Sequence, residues 1–132
     1  MGNYKIVTLC GSTRFKEQFM EAQKQLTLEG CIVISVGLFG HSGDADVWKP
    51  GVKEMLDDMH LRKIDLADEI FVINVGGYIG ESTRREIAYA EKTGKKVNYL
   101  EYLPCFRWLY KMILVPFSFT CDKHEQKRVK PT

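Results

Sequence analysis

Glycines, hydroxyls and a carboxylate gather in Val75-Gly76-Gly77-Tyr78-Ile79-Gly80-Glu81-Ser82-Thr83-Arg84-Arg85-Glu86, between an apolar run ending at Val75 and a helix-patterned segment. Such a junction suits an anion or a sugar. Gly76, Gly77 and Gly80 let the backbone approach a ligand closely, and the free N–H groups of a helix start favour negative charge. Glu86, one turn into the helix, is the candidate reacting carboxylate. A structural alternative stands beside it: Thr83 and Glu86 have the S/T-x-x-E spacing of a capping box, in which the carboxylate returns to the N-cap backbone N–H.

A second junction has the same character. Lys5 to Cys10 reads as a strand, and Gly11-Ser12-Thr13-Arg14 leads into Phe15, Phe19, Ala22 and Leu26, spaced for one helix face. Ser12 and Thr13 bring hydroxyls, Ser82 adds one at the other junction, and Arg14 brings a planar fork that suits phosphate. The alternative is an ordinary Ser or Thr N-cap beside a solvated arginine. The turn lacks Gly-x-Gly-x-x-Gly spacing, so a mononucleotide suits it better than a dinucleotide.

The elements that must position these groups follow from the hydrophobic pattern. Strand-like runs at Lys5 to Leu9, Cys31 to Val36, Glu69 to Val75 and Lys96 to Leu100 alternate with helical patterns at Arg14 to Leu28, Val52 to Leu66 and Thr83 to Lys92. This alternation predicts an α/β fold: a three-layer, Rossmann-like parallel sheet of four to five strands with helices on both faces. Ligands of such sheets lie beyond the carboxyl ends of the strands, near the switch point in strand order, where both glycine junctions fall. The linker Gly37 to Pro50, with Phe39, His41, Asp44 and Trp48, leaves the second strand at that same edge. It reads as a functional loop or lid, or else as a plain solvated connection.

With 132 residues the chain is sized for one domain. A net charge of +2, with basic residues scattered until the tail, gives no electrostatic case for a nucleic-acid polymer. Cys10, Cys31, Cys105 and Cys121 form no close pair and read as reduced thiols, and the first strand follows Met1 with no room for a signal peptide, so the expected compartment is cytoplasmic. No histidine spacing calls for a metal, and nothing calls for a cofactor.

Taken together, Cys10-Gly11-Ser12-Thr13-Arg14, the strand entry Asp65-Leu66-Ala67-Asp68-Glu69-Ile70-Phe71-Val72 and the segment Ser82-Thr83-Arg84-Arg85-Glu86-Ile87-Ala88-Tyr89-Ala90, closed by Gly94-Lys95-Lys96-Val97, resemble the nucleoside 2-deoxyribosyltransferase superfamily, which includes 2'-deoxynucleoside 5'-phosphate N-hydrolases. The likeness covers roughly Lys5 to Glu101 and implies a small-molecule nucleotide or nucleoside as ligand. It places Glu86 on the family's nucleophile and Gly11, Ser12, Thr13 and Arg14 on the turn that holds a 5'-phosphate, and it implies a homodimer or higher homo-oligomer in which a neighbouring subunit completes the site. Cys10, Phe39, His41, Gly77, Tyr78 and Gly80 are the expected lining of the sugar and base pocket. Two positions depart from the family pattern: Thr8 stands where a tyrosine positions the nucleophile, with Tyr78 or Tyr89 as substitutes, and His60 stands at the usual aspartate. An unperturbed histidine titrates at about 6.5, in the range an acid or base catalyst needs, so His60 is the second candidate catalytic residue.

Residues 1–103 are thus expected to form the α/β domain, 104–121 an aromatic, apolar helix or interface segment, and 122–132 a disordered basic tail. The aromatic run is broken by Arg107, Lys111 and Pro116 and is too short to span a bilayer. Besides an N-glycosidase or deoxyribosyltransferase, the chain is compatible with a catalytically silent nucleotide-binding protein or a NAD-cleaving domain that sets a glutamate against a ribose.

Overall fold

The structure, a computed structural model, describes residues 2–101. The segments expected at 104–121 and 122–132 lie outside the described residues. Four strands, β1 (Ile6–Gly11), β2 (Ile32–Ile34), β3 (Glu69–Ile73) and β4 (Lys96–Tyr99), form one parallel sheet in the order β2-β1-β3-β4. Three helices connect them: α1 (Lys16–Leu28), α2 (Val52–Leu66) and α3 (Glu81–Lys92). The α/β, Rossmann-like expectation holds.

Side-chain alternation along the central strands builds the layers. Val7 and Leu9 of β1, with Phe71 and Ile73 of β3, join Phe19, Ala22 and Leu26 of α1 in one buried cluster. Their neighbours Cys10, Ile70 and Val72 join Ile64 of α2 and Ala90 of α3 in a second. β3 is buried along its whole length, as a strand covered on both faces must be. Phe71 is fully buried, and Phe71→Ala is expected to cost about 3 to 5 kcal/mol of unfolding free energy by denaturant titration, through lost burial and the cavity left behind.

The chain runs from β1 outward to β2, then returns across the sheet to β3. The switch in direction falls between β1 and β3, whose carboxyl ends are Gly11 and Ile73. Gly11 takes φ +150°, and a Cβ there would stand 2.8 Å from the Ile73 carbonyl oxygen. Gly11→Ala must therefore push the two strand ends apart. It is expected to lower the melting temperature through a loss of about 1 to 3 kcal/mol, detectable by thermal denaturation.

Candidate active site

Both junctions and the linker open on one cavity of about 260 Å³. Gly11, Ser12, Thr13 and Arg14 line it from the end of β1 and the turn after it, Gly80 from the N-cap of α3, Ser82, Thr83 and Glu86 from α3, His60 from α2, and His41 from the linker. The acid at position 86 and the turn at position 12 therefore share one space.

The capping-box alternative for Glu86 does not describe the helix start. α3 begins at Glu81 with Gly80 as N-cap and no side-chain cap, so Thr83 lies inside the helix and is buried. Without a side-chain acceptor, the first-turn N–H groups remain available to an anion. Gly76 and Gly77 turn away from the cavity in a short 3-10 segment, Val75–Gly77. The Gly76 N–H donates to Glu101 Oε2 at 2.6 Å, which ties that loop to the end of the sheet. Of the three glycines expected near a ligand, Gly80 alone lines the cavity.

The phosphate-type turn is braced from several sides. The Arg14 Nε–H donates to Ser12 Oγ at 3.0 Å, and the Arg14 Nη2–H donates to the Tyr78 hydroxyl at 3.3 Å. The guanidinium also stands 4.4 Å from the Tyr78 ring centroid, a cation–π contact that holds it over the cavity. Tyr78 thus links the two junctions. Tyr89, the other candidate substitute, donates its hydroxyl to Asp65 at 2.6 Å and does not line the cavity. Thr8 is buried and donates to the Lys63 carbonyl at 2.9 Å.

The linker docks on the same turn. His41 Nδ1 lies 2.7 Å from Thr13 Oγ1, the Ser42 hydroxyl donates to the Thr13 carbonyl at 2.7 Å, and His41 meets Trp48 edge to face at 5.2 Å. His41 therefore positions the loop as well as lining the cavity. Phe39 differs from expectation: it is buried against Phe19 at 5.4 Å in the α1-side core and contributes no cavity wall. The alternation of apolar and polar residues in a short loop does not reveal which side faces the core.

Beneath the cavity three elements converge. Cys10 of β1, fully buried, places Sγ 3.3 Å from His60 Nε2, and His60 Nε2 lies 3.8 Å from Glu86 Oε2. Cys10 does not line the cavity; it backs the two residues that do. Burial pushes the Glu86 carboxyl up from 4.5 to about 7, with Asp57 adding to the rise and a hydrogen bond from Cys10 and the positive charges of Lys53 and Arg85 opposing it. Burial pushes His60 the other way, from 6.5 to about 4, helped by the Lys63 charge. The same burial, and the nearby carboxylate, raise the Cys10 thiol.

The protonation states that ordinary side-chain values would give are therefore reversed in the free site. Between about pH 4 and 7 His60 is uncharged and Glu86 holds a proton, so the two groups, 3.8 Å apart and outside hydrogen-bond reach, do not form an ion pair. Residues that sequence reasoning left outside the site also line it: Trp48, Leu56 and the pair Lys53 and Asp57, whose charged ends meet at 2.7 Å. Their i, i+4 spacing reads equally well as a solvated helix face. The cysteine expectation needs correction at Cys31, which is disulfide-bonded, whereas Cys10 is a free thiol. Among the described residues no helix is long and apolar enough to cross a membrane.

This arrangement defines a Rossmann-like α/β protein with a buried carboxylate and a braced hydroxyl-guanidinium turn facing one cavity at the topological switch point. No family model matches the sequence, and no curated protein matches it either.

Proposed function

We propose that the protein cleaves the base–sugar bond of a nucleoside 5'-monophosphate, acting as an N-glycosidase or deoxyribosyltransferase through Glu86. The observation that carries this reading is the buried Glu86 Oε2, which makes no hydrogen bond among the described residues, in a cavity that the Ser12-Thr13-Arg14 turn also lines. An ionised carboxylate in a buried place, with one oxygen lacking a partner, costs stability. A ligand that develops positive charge beside it recovers that cost.

Ser12, Thr13 and Arg14 take the 5'-phosphate, with Ser82 at the second helix start. Each helix end contributes only about 0.3 to 1 kcal/mol at exposed sites, so hydrogen bonds and the Arg14 fork supply most of the grip. With the phosphate anchored, C1' of the sugar faces Glu86. As the bond from C1' to the base nitrogen breaks, its electron pair leaves with the base and oxocarbenium character builds at C1'.

That growing charge favours the ionised carboxylate. The proton Glu86 releases passes through one bridging water to His60 Nε2, 3.8 Å away, and from there to the departing base nitrogen. Glu86 then bonds to C1'. Attack on that carbon by water frees the sugar phosphate and restores the protonated carboxyl, while attack by a second base completes a transfer. His60 relays the proton in this scheme and never needs to be cationic in the free enzyme.

The test is chromatography of free base after incubating the purified chain with a panel of 2'-deoxynucleoside and ribonucleoside 5'-monophosphates, the matching nucleosides, and NAD. Base release from monophosphates ahead of nucleosides supports the reading. Thermal stabilisation by monophosphates without base release would assign the chain to the silent nucleotide-binding class, and release of nicotinamide from NAD to the NAD-cleaving class.

A further inference from the structure

The floor of the cavity carries a donor set whose geometry the glycosidic reading does not require. Cys10 Sγ, His60 Nε2 and Glu86 Oε2 come from β1, α2 and α3, and all lie within 4.8 Å of one another. Sulfur to nitrogen is 3.3 Å and nitrogen to oxygen 3.8 Å. Around a tetrahedral zinc ion, bonds of about 2.3 Å to sulfur and about 2.0 to 2.2 Å to nitrogen or oxygen give ligand-to-ligand edges of about 3.3 to 3.6 Å. Two of the three edges, sulfur to nitrogen and nitrogen to oxygen, already stand close to those lengths without an ion between the donors, and the third is at most 4.8 Å. Glu86 Oε2 is buried and makes no hydrogen bond among the described residues, which leaves a ligand lone pair open toward the centre of the set.

Donor chemistry narrows the ion. One thiolate, one imidazole and one carboxylate suit zinc and its close analogues, whereas magnesium and calcium require oxygen ligands. His60 and Glu86 line the cavity and Cys10 lies behind them, so a fourth position faces the open side. Three protein ligands with an exchangeable fourth is the pattern of an accessible zinc site rather than a sealed structural one. Residues 10, 60 and 86 show no ligand motif in the sequence, because their proximity arises only from how β1, α2 and α3 pack.

We propose that Cys10, His60 and Glu86 bind one tetrahedral divalent ion of the zinc class, open toward the cavity. Binding displaces the thiol proton, and the Glu86 proton where present, to solvent. Resting on the reading of Glu86 given above, a consequence follows: a carboxylate whose charge is drawn to the ion is a weaker nucleophile toward C1', and His60 Nε2 bound to the ion cannot relay a proton, so the ion inhibits base release.

The test uses the full chain, stripped with EDTA, dialysed and titrated with Co2+ as a spectroscopic stand-in for zinc. The expected result is one equivalent bound, with a thiolate-to-cobalt charge-transfer band, visible bands of tetrahedral intensity, and displacement by Zn2+. Cys10→Ala should remove the charge-transfer band, and His60→Gln should weaken binding at least about tenfold, each in protein shown by circular dichroism to be folded. No tetrahedral spectrum in folded wild type would overturn the site, as would a spectrum unchanged in both folded variants. A separate arm measures base release with and without Zn2+. Binding at these residues with undiminished base release would leave the metal site standing and remove Glu86 from the chemistry.

Discussion

Glu86→Gln is expected to lower base release by at least about a thousandfold, roughly 4 kcal/mol of transition-state stabilisation, while making the folded protein more stable than wild type above pH 7. Gln keeps the size and polarity of the side chain but can neither ionise nor bond to C1'. The stability gain follows from burial, which raises the carboxyl from 4.5 to about 7. A group whose folded value is raised contributes its full stability below its unfolded value and loses it as pH rises through the folded one. In wild type that loss runs from about pH 4.5 to 7, and at about 1.4 kcal/mol per pH unit it totals about 3 kcal/mol.

His60 has the opposite sign. Its folded value falls from 6.5 to about 4, so its contribution is present above 6.5 and is lost as pH falls through 4. Between about pH 4.5 and 6.5 the two slopes cancel in wild type, which should show nearly constant stability there. Glu86→Gln leaves only the histidine slope, so the variant's stability should rise with pH across the same window. Denaturant titrations of both proteins at pH 4.5, 6.5 and 8, with EDTA present, check this. A difference between the proteins that does not change with pH would mean that Glu86 is not buried as described.

Arg14 carries the second large effect. Arg14→Ala removes the fork, the bond to Ser12 at 3.0 Å and the stacking on Tyr78 at 4.4 Å. A hydrogen bond to a charged partner is worth about 1.5 to 3 kcal/mol, so kcat/KM for a monophosphate should fall about 10- to 100-fold. The matching nucleoside, with no phosphate to hold, should change little. Arg14→Lys should restore only part of the loss, since an ammonium offers a point charge where the guanidinium offers two parallel donors. Steady-state kinetics on the paired substrates separates phosphate recognition from general damage to the site.

Much of the frame was legible in the sequence because it rests on short-range pattern. α2 falls on Val52–Leu66 as its periodicity indicates, and the four strand-like runs become the four strands of the sheet, the last three trimmed at their ends and the first carried on to Gly11. The trimming has a local cause in β3, where Asn74 leaves the strand to exchange hydrogen bonds with the Glu101 backbone. Gathering Gly11, Ser12, Arg14, Gly80 and Glu86 at one edge needed only the rule that parallel strands present their carboxyl ends together.

What was not legible depends on packing between distant elements. Cys10 reads as one more apolar strand residue, yet alternation turns it toward α2 and α3, where it meets His60 and Glu86. His60 is a candidate in the sequence for its ordinary titration near neutrality, yet it is buried, and that burial carries its titration down to about 4. Phe39 and Gly77 failed as pocket residues for related reasons, since neither loop discloses which way its chain turns.

We propose above all that Glu86 acts on the sugar of a nucleotide held by the turn from Gly11 to Arg14. The most direct test is to incubate wild type and Glu86→Gln with a 2'-deoxynucleoside 5'-monophosphate, quantifying free base by chromatography and bound nucleotide by equilibrium dialysis on the same samples. Base released by wild type, together with nucleotide bound but left intact by the variant, is the predicted result. Equal base release by the two proteins, or none by wild type with any monophosphate, would contradict the account.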